Sequence, residues 1–237
     1  MVDESGTLVV IEAEVDVPFA FGQVDVIDLD ERELVVDAGD PFLIILVRGS
    51  AQYESGTTRI RVDSPNDVVV ADGDLPVVVS GVEGNSRVIL VSQRSSPRHA
   101  SPMETSGVAQ GLTADTGRSD CEQYEIRRWG AVCPFEIKRL YFTHSTSPGL
   151  PRGGHAHWAL EQVIISMAGP ISLTLERSGE VDVISLRDPS QGVYVTPITW
   201  RDIEFETSSV LFVLASERYS TSDYIRDRKV FEQATDL

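Results

Sequence analysis

The chain has 237 residues, of which 41% are hydrophobic and 24% charged, enough apolar material for one large core or two of roughly 100 residues each, which excludes disorder along its whole length. Twenty Lys and Arg against 37 Asp and Glu give a formal net charge of −17, which argues against nucleic acid or an anionic membrane as partner. No run approaches the roughly 20 apolar residues of a membrane span, and the acidic start Met1-Val2-Asp3-Glu4 lacks the basic and apolar stretches of a signal peptide. A soluble, cytoplasmic protein is expected, with Cys121 and Cys133 as reduced thiols.

In chain order, short Val- and Ile-rich segments broken by Gly, Pro, Asp or Asn predict strands at Leu8 to Ile11, Phe42 to Val47, Val68 to Val70, Val77 to Val79 and Val88 to Val91. Residues 94–118 are dense in Ser, Pro, Gly and Thr and read as a linker. Strands resume at Glu136 to Phe142, Gln162 to Met167, Ile171 to Leu175, Val193 to Val195 and Val210 to Leu214. Only the tail, about Ser222 to Ala234, has a helical pattern, with Asp223 near its start and Phe231 as anchor. The expected division is a first β domain over 1–93, the linker 94–118 and a second β domain over 119–237. Charge follows it: the three parts carry −13, +1 and −5, so an anionic ligand would prefer the second domain.

The two blocks read as copies of one plan. Gly169 follows Gly49 by 120 positions, each closing a strand that starts at Gln162 or Phe42, while the turns at Pro65 and Pro189, and the ends Val91-Ser92 and Ala215-Ser216, lie 124 apart. At the offset of 120, His155, His157 and Gln162 fall on Val35, Asp37 and Phe42, and the first block has no histidine before His99 in the linker. It reads as a degenerate copy.

The second block carries Gly149-Leu150-Pro151-Arg152-Gly153-Gly154-His155-Ala156-His157, followed by Gln162 and Gly169. Histidines at i and i+2 of a strand put both rings on one face. The spacing resembles the first motif of the cupin superfamily, with Gln162 where metal-binding cupins supply a glutamate. In the region of the second cupin motif, Pro197-Ile198-Thr199-Trp200-Arg201-Asp202 has Arg201 where related sequences often have histidine. A guanidinium beside two imidazoles repels a divalent cation, so no metal and no cofactor are expected. Asp202 completing a His-His-Asp set is the alternative. Without a metal, imidazoles with an ordinary pKa near 6.5 suit proton transfer.

Wider matches follow in order: Pro134-Phe135-Glu136-Ile137-Lys138-Arg139-Leu140-Tyr141, the Arg-Gly-Gly-His-Ala-His stretch, Leu160-Glu161-Gln162-Val163, Pro197 with Trp200, then Leu214-Ala215-Ser216, Tyr219 and Asp223-Tyr224-Ile225-Arg226. Over about residues 133–237 the chain resembles the TDP-sugar 3,4-ketoisomerases of the FdtA and QdtA type, the WxcM-like C-terminal cupins. The resemblance implies a small RmlC-like jelly-roll (cupin) barrel; with the degenerate copy and the helical tail read above, the expected fold is all-β, two cupin domains in one chain, a bicupin, with a short C-terminal helix. It also implies a homodimer with strand exchange, a TDP-linked keto sugar as partner, and isomerisation of TDP-4-keto-6-deoxyglucose to a 3-keto sugar through an enediol. Carried over, His155 is the base at carbon, His157 a proton shuttle between oxygens, and Tyr141 an acid or enediolate donor. Arg152 and Arg139 would hold the pyrophosphate, and Lys138, Gln162, Tyr194, Trp200 and Arg201 are further pocket candidates. A nucleotide-sugar-binding protein without turnover stays open as a second reading, and the His-Asp arrangement of the related 3,5-epimerases is not apparent.

Overall fold

The computed structural model describes residues 2–3, 6–29, 33–64, 67–82, 85–93, 108, 110–113, 115–118, 125–130, 132–145, 152–206 and 208–235. Cys121, His99 and the Gly149-Leu150-Pro151 opening of the histidine motif lie outside them. Cys133 is buried.

The described residues form two compact units, and neither is a continuous stretch of sequence. One comprises Met1–Glu12, Ser101–Thr113 and Ile137–Leu237, the other Ala13–Ala100 and Ala114–Glu136. In the first-named unit a seven-stranded antiparallel sheet runs in the order Val2–Asp3, Gly6–Glu12, Arg139–Ser145, Val210–Ala215, Gln162–Ala168, Gln191–Val195, Gln110–Thr113. A five-stranded sheet runs Glu180–Leu186, Ile171–Arg177, Trp200–Phe205, Arg152–His157, Tyr224–Ile225. Strict alternation closes the two over one core: along Ile171–Arg177 the residues Ile171, Leu173 and Leu175 are buried, and they pack with Ile203 and Phe205 against Ile164, Val193, Leu211 and Val213 of the larger sheet.

The other unit repeats the design. Its six-stranded sheet runs Asp115–Arg118, Glu125–Arg128, Gln23–Asp28, Arg87–Ser92, Phe42–Arg48, Val68–Ala71, and its four-stranded sheet runs Glu33–Val36, Val77–Gly81, Ala51–Ser55, Thr58–Val62. Ile27, Phe42, Ile44 and Val88 meet Leu34, Tyr53, Val77 and Val79 in its core. A buried Arg87 grips Asp28 with two bonds, Nε to Oδ1 at 2.6 Å and Nη2 to Oδ2 at 2.9 Å.

The duplication extends to single hydrogen bonds. Gly49 and Gly169 have φ of +76° and +66°, and a Cβ on either would come within 2.6 Å of a serine Oγ, Ser86 in one unit and Ser209 in the other. Each serine hydroxyl then donates to the carbonyl just after the glycine, Ser86 to Ser50 at 2.7 Å and Ser209 to Pro170 at 2.8 Å. Only glycine fits such a left-handed turn pressed against its neighbour.

Val2–Asp3 and Gly6–Glu12 sit in the sheet of the second block, with Gly6–Glu12 paired along Arg139–Ser145. The hairpin of Asp115–Arg118 and Glu125–Arg128 sits beside Gln23–Asp28 of the first. The segment 94–118, read as linker, contributes two strands, and Val108 joins a core cluster. Periodicity marks a strand but not its partner, and short polar strands such as Asp115–Arg118 carry little apolar signal. In the tail, Thr221–Asp223 is a single 3₁₀ turn and Tyr224–Ile225 a strand, so the helix is confined to Arg228–Thr235, with Phe231 buried as its anchor.

Candidate active site

Strand parity builds the site. In the ladder that joins Arg139–Ser145 to Val210–Ala215 and on to Gln162–Ala168, Arg139 lies opposite Ala215 and Tyr141 opposite Val213, while Gln162 and Ile164 lie opposite the same two residues. Arg139, Tyr141 and Gln162 therefore share the face that carries the core residues Val213 and Ile164. On the smaller sheet, Arg201 shares the face of Ile203 and Phe205, and His155 lies opposite Arg201. A bulge between Gly153 and His155 sets that register. It requires glycine at 153, where φ is +100° and a Cβ would fall 2.3 Å from the Arg201 carbonyl. Ala156 points the other way, into a cluster with Trp200, Ile225 and Phe231.

The two imidazoles stand edge to face, centroids 4.9 Å apart and planes at 89°. Tyr224, opposite His157 in the ladder, packs tilted against both, at 4.9 Å from His155 and 4.3 Å from His157. Each histidine is backed at Nδ1: His155 by the Gly153 carbonyl at 2.8 Å, His157 by Asp223 Oδ2 at 3.0 Å. That leaves Nε2 of each ring for other chemistry. Beside them, Gln162 Nε2 donates to the Tyr141 hydroxyl at 2.6 Å, so the Tyr141 proton stays available to another acceptor.

Arg201 is 2% exposed and donates from Nη2 to the Thr199 carbonyl at 3.0 Å, while its Nε and Nη1, Arg139 Nε and Gln162 Oε1 are buried without a partner. Arg139 lies over Tyr141 and Tyr219, 5.5 Å and 5.7 Å from their ring centroids, and Arg226 lies 4.4 Å over Tyr224. Unmet donors on two guanidiniums and one unmet carbonyl acceptor suit an oxygen-rich, anionic guest.

Burial and this positive charge reset the ionisations. Burial foremost, opposed by the Gly153 bond and helped by Arg201 and Arg226, lowers His155 to about 4. Burial, then Arg201, His155, Arg139 and Arg226, lower His157 to about 2. The ordinary imidazole value expected from the sequence does not hold, and both rings are neutral at pH 7. Burial raises Tyr141 to about 12 against the pull of Arg139 and Arg201, and lowers Arg201 to about 10.

The structure brings His155, His157, Tyr141, Arg139, Gln162 and Arg201 together. Arg152 opens the histidine strand, half-buried. Three other candidates are placed elsewhere by period two. Lys138, one residue out of phase with Arg139, pairs with Glu217 at 3.0 Å in an exposed position. Tyr194, opposite Val163 rather than Gln162, donates its hydroxyl to Glu161. Trp200, out of phase with Arg201, packs on Phe231 at 5.4 Å and under Arg228 at 4.6 Å, anchoring the C-terminal helix. Asp202 shares that outer parity and accepts the Gly154 amide at 2.9 Å, so it does not complete a His-His-Asp set. Among the described residues no group of three His, Cys, Asp or Glu side chains is gathered for a metal. His157 and Asp223 form a His-Asp pair at 3.0 Å.

Asp223, Tyr224, Tyr219 and Arg226 join the site although no role was read for them. For Asp223, Tyr224 and Arg226 the signal was the Asp-Tyr-Ile-Arg motif itself; its pairing with a strand some 70 residues earlier in the chain has no local trace.

Two antiparallel sheets closed over one core, with a His-x-His strand next to the Tyr224–Ile225 edge of the smaller sheet, define a cupin, and the second two-sheet unit, which has no such histidines, makes the chain a bicupin. Within that class the chain belongs to the family described as FdtA, WxcM-like, C-terminal, whose pattern matches residues 120–236. It is 39% identical over 101 residues to a TDP-4-oxo-6-deoxy-alpha-D-glucose-3,4-oxoisomerase of Aneurinibacillus thermoaerophilus, an alignment covering 42% of this chain and 73% of that protein. Among solved structures it is similar to QdtA, a sugar 3,4-ketoisomerase of Thermoanaerobacterium thermosaccharolyticum in complex with TDP, at 32% identity and a TM-score of 0.50 over 54% of this chain and 95% of that one. A second is WlaRA, a TDP-fucose-3,4-ketoisomerase of Campylobacter jejuni, at 26% identity and a TM-score of 0.50 over 54% of this chain and 95% of that one.

Proposed function

We propose that the protein is a 3,4-ketoisomerase of deoxysugar biosynthesis that moves the keto group of a TDP-4-keto-6-deoxyhexose between C4 and C3 with its own side chains. The observation that carries this reading is the pair of neutral imidazoles, each backed at Nδ1, set beside Tyr141 and the unmatched donors of Arg201 and Arg139. The names of the relatives support the substrate class.

The chemistry balances without an oxidant. The C3 hydrogen is acidic because it lies next to the C4 carbonyl, and His155 Nε2 takes it as a proton. The electron pair forms the C3–C4 double bond of an enediolate, whose negative oxygen is met by donors of Tyr141 and Arg201. His157 passes the O3 proton to O4, the carbonyl forms at C3, and His155 returns its proton to C4. Gln162 Oε1 suits a sugar hydroxyl, and Arg139 and Arg152 suit the pyrophosphate by bidentate contacts.

In this reading the first block is a degenerate cupin and residues 119–237 carry the catalytic side chains. No helix among the described residues is long and apolar enough to cross a membrane, and a cytoplasmic site of action belongs to the proposal. So does a homodimer, a property separate from completing the seven-stranded sheet, whose strand Gly6–Glu12 comes from the same chain. The test of the base is His155→Asn, which should abolish solvent deuterium incorporation at the sugar carbons while TDP binding stays near wild type. Retained exchange would remove His155 from that role.

A further inference from the structure

We infer that Asp223 is a positioning residue that fixes His157 in the tautomer with its proton on Nδ1, so that Nε2 is the atom presented to the sugar oxygens; the inference rests on the proposed isomerase reading for its kinetic consequence. The geometry leaves little freedom. His157 is 1% exposed, and its Nδ1 lies 3.0 Å from Asp223 Oδ2. The other carboxylate oxygen accepts the Ala159 amide at 2.8 Å, and the Asp223 carbonyl accepts the Trp158 amide at 2.9 Å. The His157 carbonyl accepts the Ile198 amide at 2.7 Å, which holds the other end of the residue. Asp223 is thus clamped to the chain just past the histidine it faces.

A carboxylate has no proton to give at neutral pH, so the hydrogen of this bond must sit on His157 Nδ1. A neutral ring then carries its lone pair on Nε2, as a shuttle between two oxygens requires. Tyr224, next in sequence, packs tilted against the ring, with centroids 4.3 Å apart. The segment that ends in the C-terminal helix therefore does more than close the barrel, because it sets the protonation pattern of a catalytic group.

The variant Asp223→Asn tests this with little change of shape. The Ala159 amide requires an oxygen acceptor, so it orients the side chain with Oδ1 toward Ala159 and the amide nitrogen toward His157. That nitrogen donates, and Nδ1 becomes the acceptor. In nitrogen-labelled protein, proton–nitrogen correlation spectra should show the His157 proton moved from Nδ1 to Nε2. With TDP-4-keto-6-deoxyglucose, kcat should fall roughly 10²-fold, the lower range for a positioned acid–base group, with KM near wild type. In a His157→Asn background, Asp223→Asn should cost nothing further, as expected of a residue acting through His157. An unchanged tautomer, or additive losses in the double variant, would overturn the inference. The tautomer is read without substrate, so a wild-type protein that fails to turn over this sugar would count against the isomerase reading alone.

Discussion

Two histidines two residues apart on a strand were legible as a pair from sequence, and the structure puts their rings 4.9 Å apart. Their surroundings were not legible, because they come from strands distant in the chain and from the choice of inner or outer parity. Arg139 and Lys138 are neighbours in sequence, yet one lies over Tyr141 and the other pairs with Glu217. The same parity separates Arg201 from Trp200 and Asp202. The low ionisation of the histidines has a pH consequence. A base must be neutral to act, so activity is lost as pH falls through its pKa. Because burial and then charge hold His155 at about 4 in the free protein, the acid limb of kcat/KM should lie well below the ordinary 6.5. A bound diphosphate brings negative charge to the arginine-rich pocket, which raises the pKa and should move the acid limb of kcat to higher pH. Limbs that coincide near 6.5 would show that the histidines are not held down in the free protein.

At the scale of elements, the strand segments were visible as Val- and Ile-rich runs, whereas their partners were not. Gly6–Glu12 is the instructive case: its texture reads as a strand, and nothing local says that it pairs along Arg139–Ser145 rather than within the first block. The pairing sets Val10 beside Tyr141 and Glu12 beside Arg139, and Glu12 Oε1 accepts the Tyr219 amide at 2.6 Å. A fragment starting at residue 94 loses this strand, exposing the edge of Arg139–Ser145 and leaving the Glu125–Arg128 hairpin without Gln23–Asp28. It should show no cooperative thermal unfolding by circular dichroism. A fragment that melts cooperatively and binds TDP as the whole chain does would show that Gly6–Glu12 is dispensable.

At the scale of the whole molecule, the two-barrel plan was legible from the repeated glycines, and the structure refines the match by one residue. The ladder aligns Ser92 with Ala215, since Ser92 lies opposite Phe42 as Ala215 lies opposite Gln162. It also puts Val36, rather than Val35, at the place of His155, since His155 lies opposite Arg201 as Val36 lies opposite Val77. By the same ladders Tyr141 corresponds to Asp25, Arg139 to Gln23 and Arg201 to Val77. The first barrel thus has neither the histidines nor the inward guanidiniums, and Val77 and Phe42 fill its core. Calorimetric titration with TDP should give about one site per chain, abolished together with the heat when Arg139 and Arg201 are replaced. Two equal sites would contradict a degenerate first barrel.

The most direct test of the isomerase reading is nuclear magnetic resonance of TDP-4-keto-6-deoxyglucose incubated in deuterated water with protein stripped of metal. A 3-keto product carrying deuterium at C4 is expected, and its configuration at C4 is read from the same spectrum. An unchanged substrate spectrum, with TDP demonstrably bound, would contradict isomerisation and leave a nucleotide-sugar-binding cupin in its place.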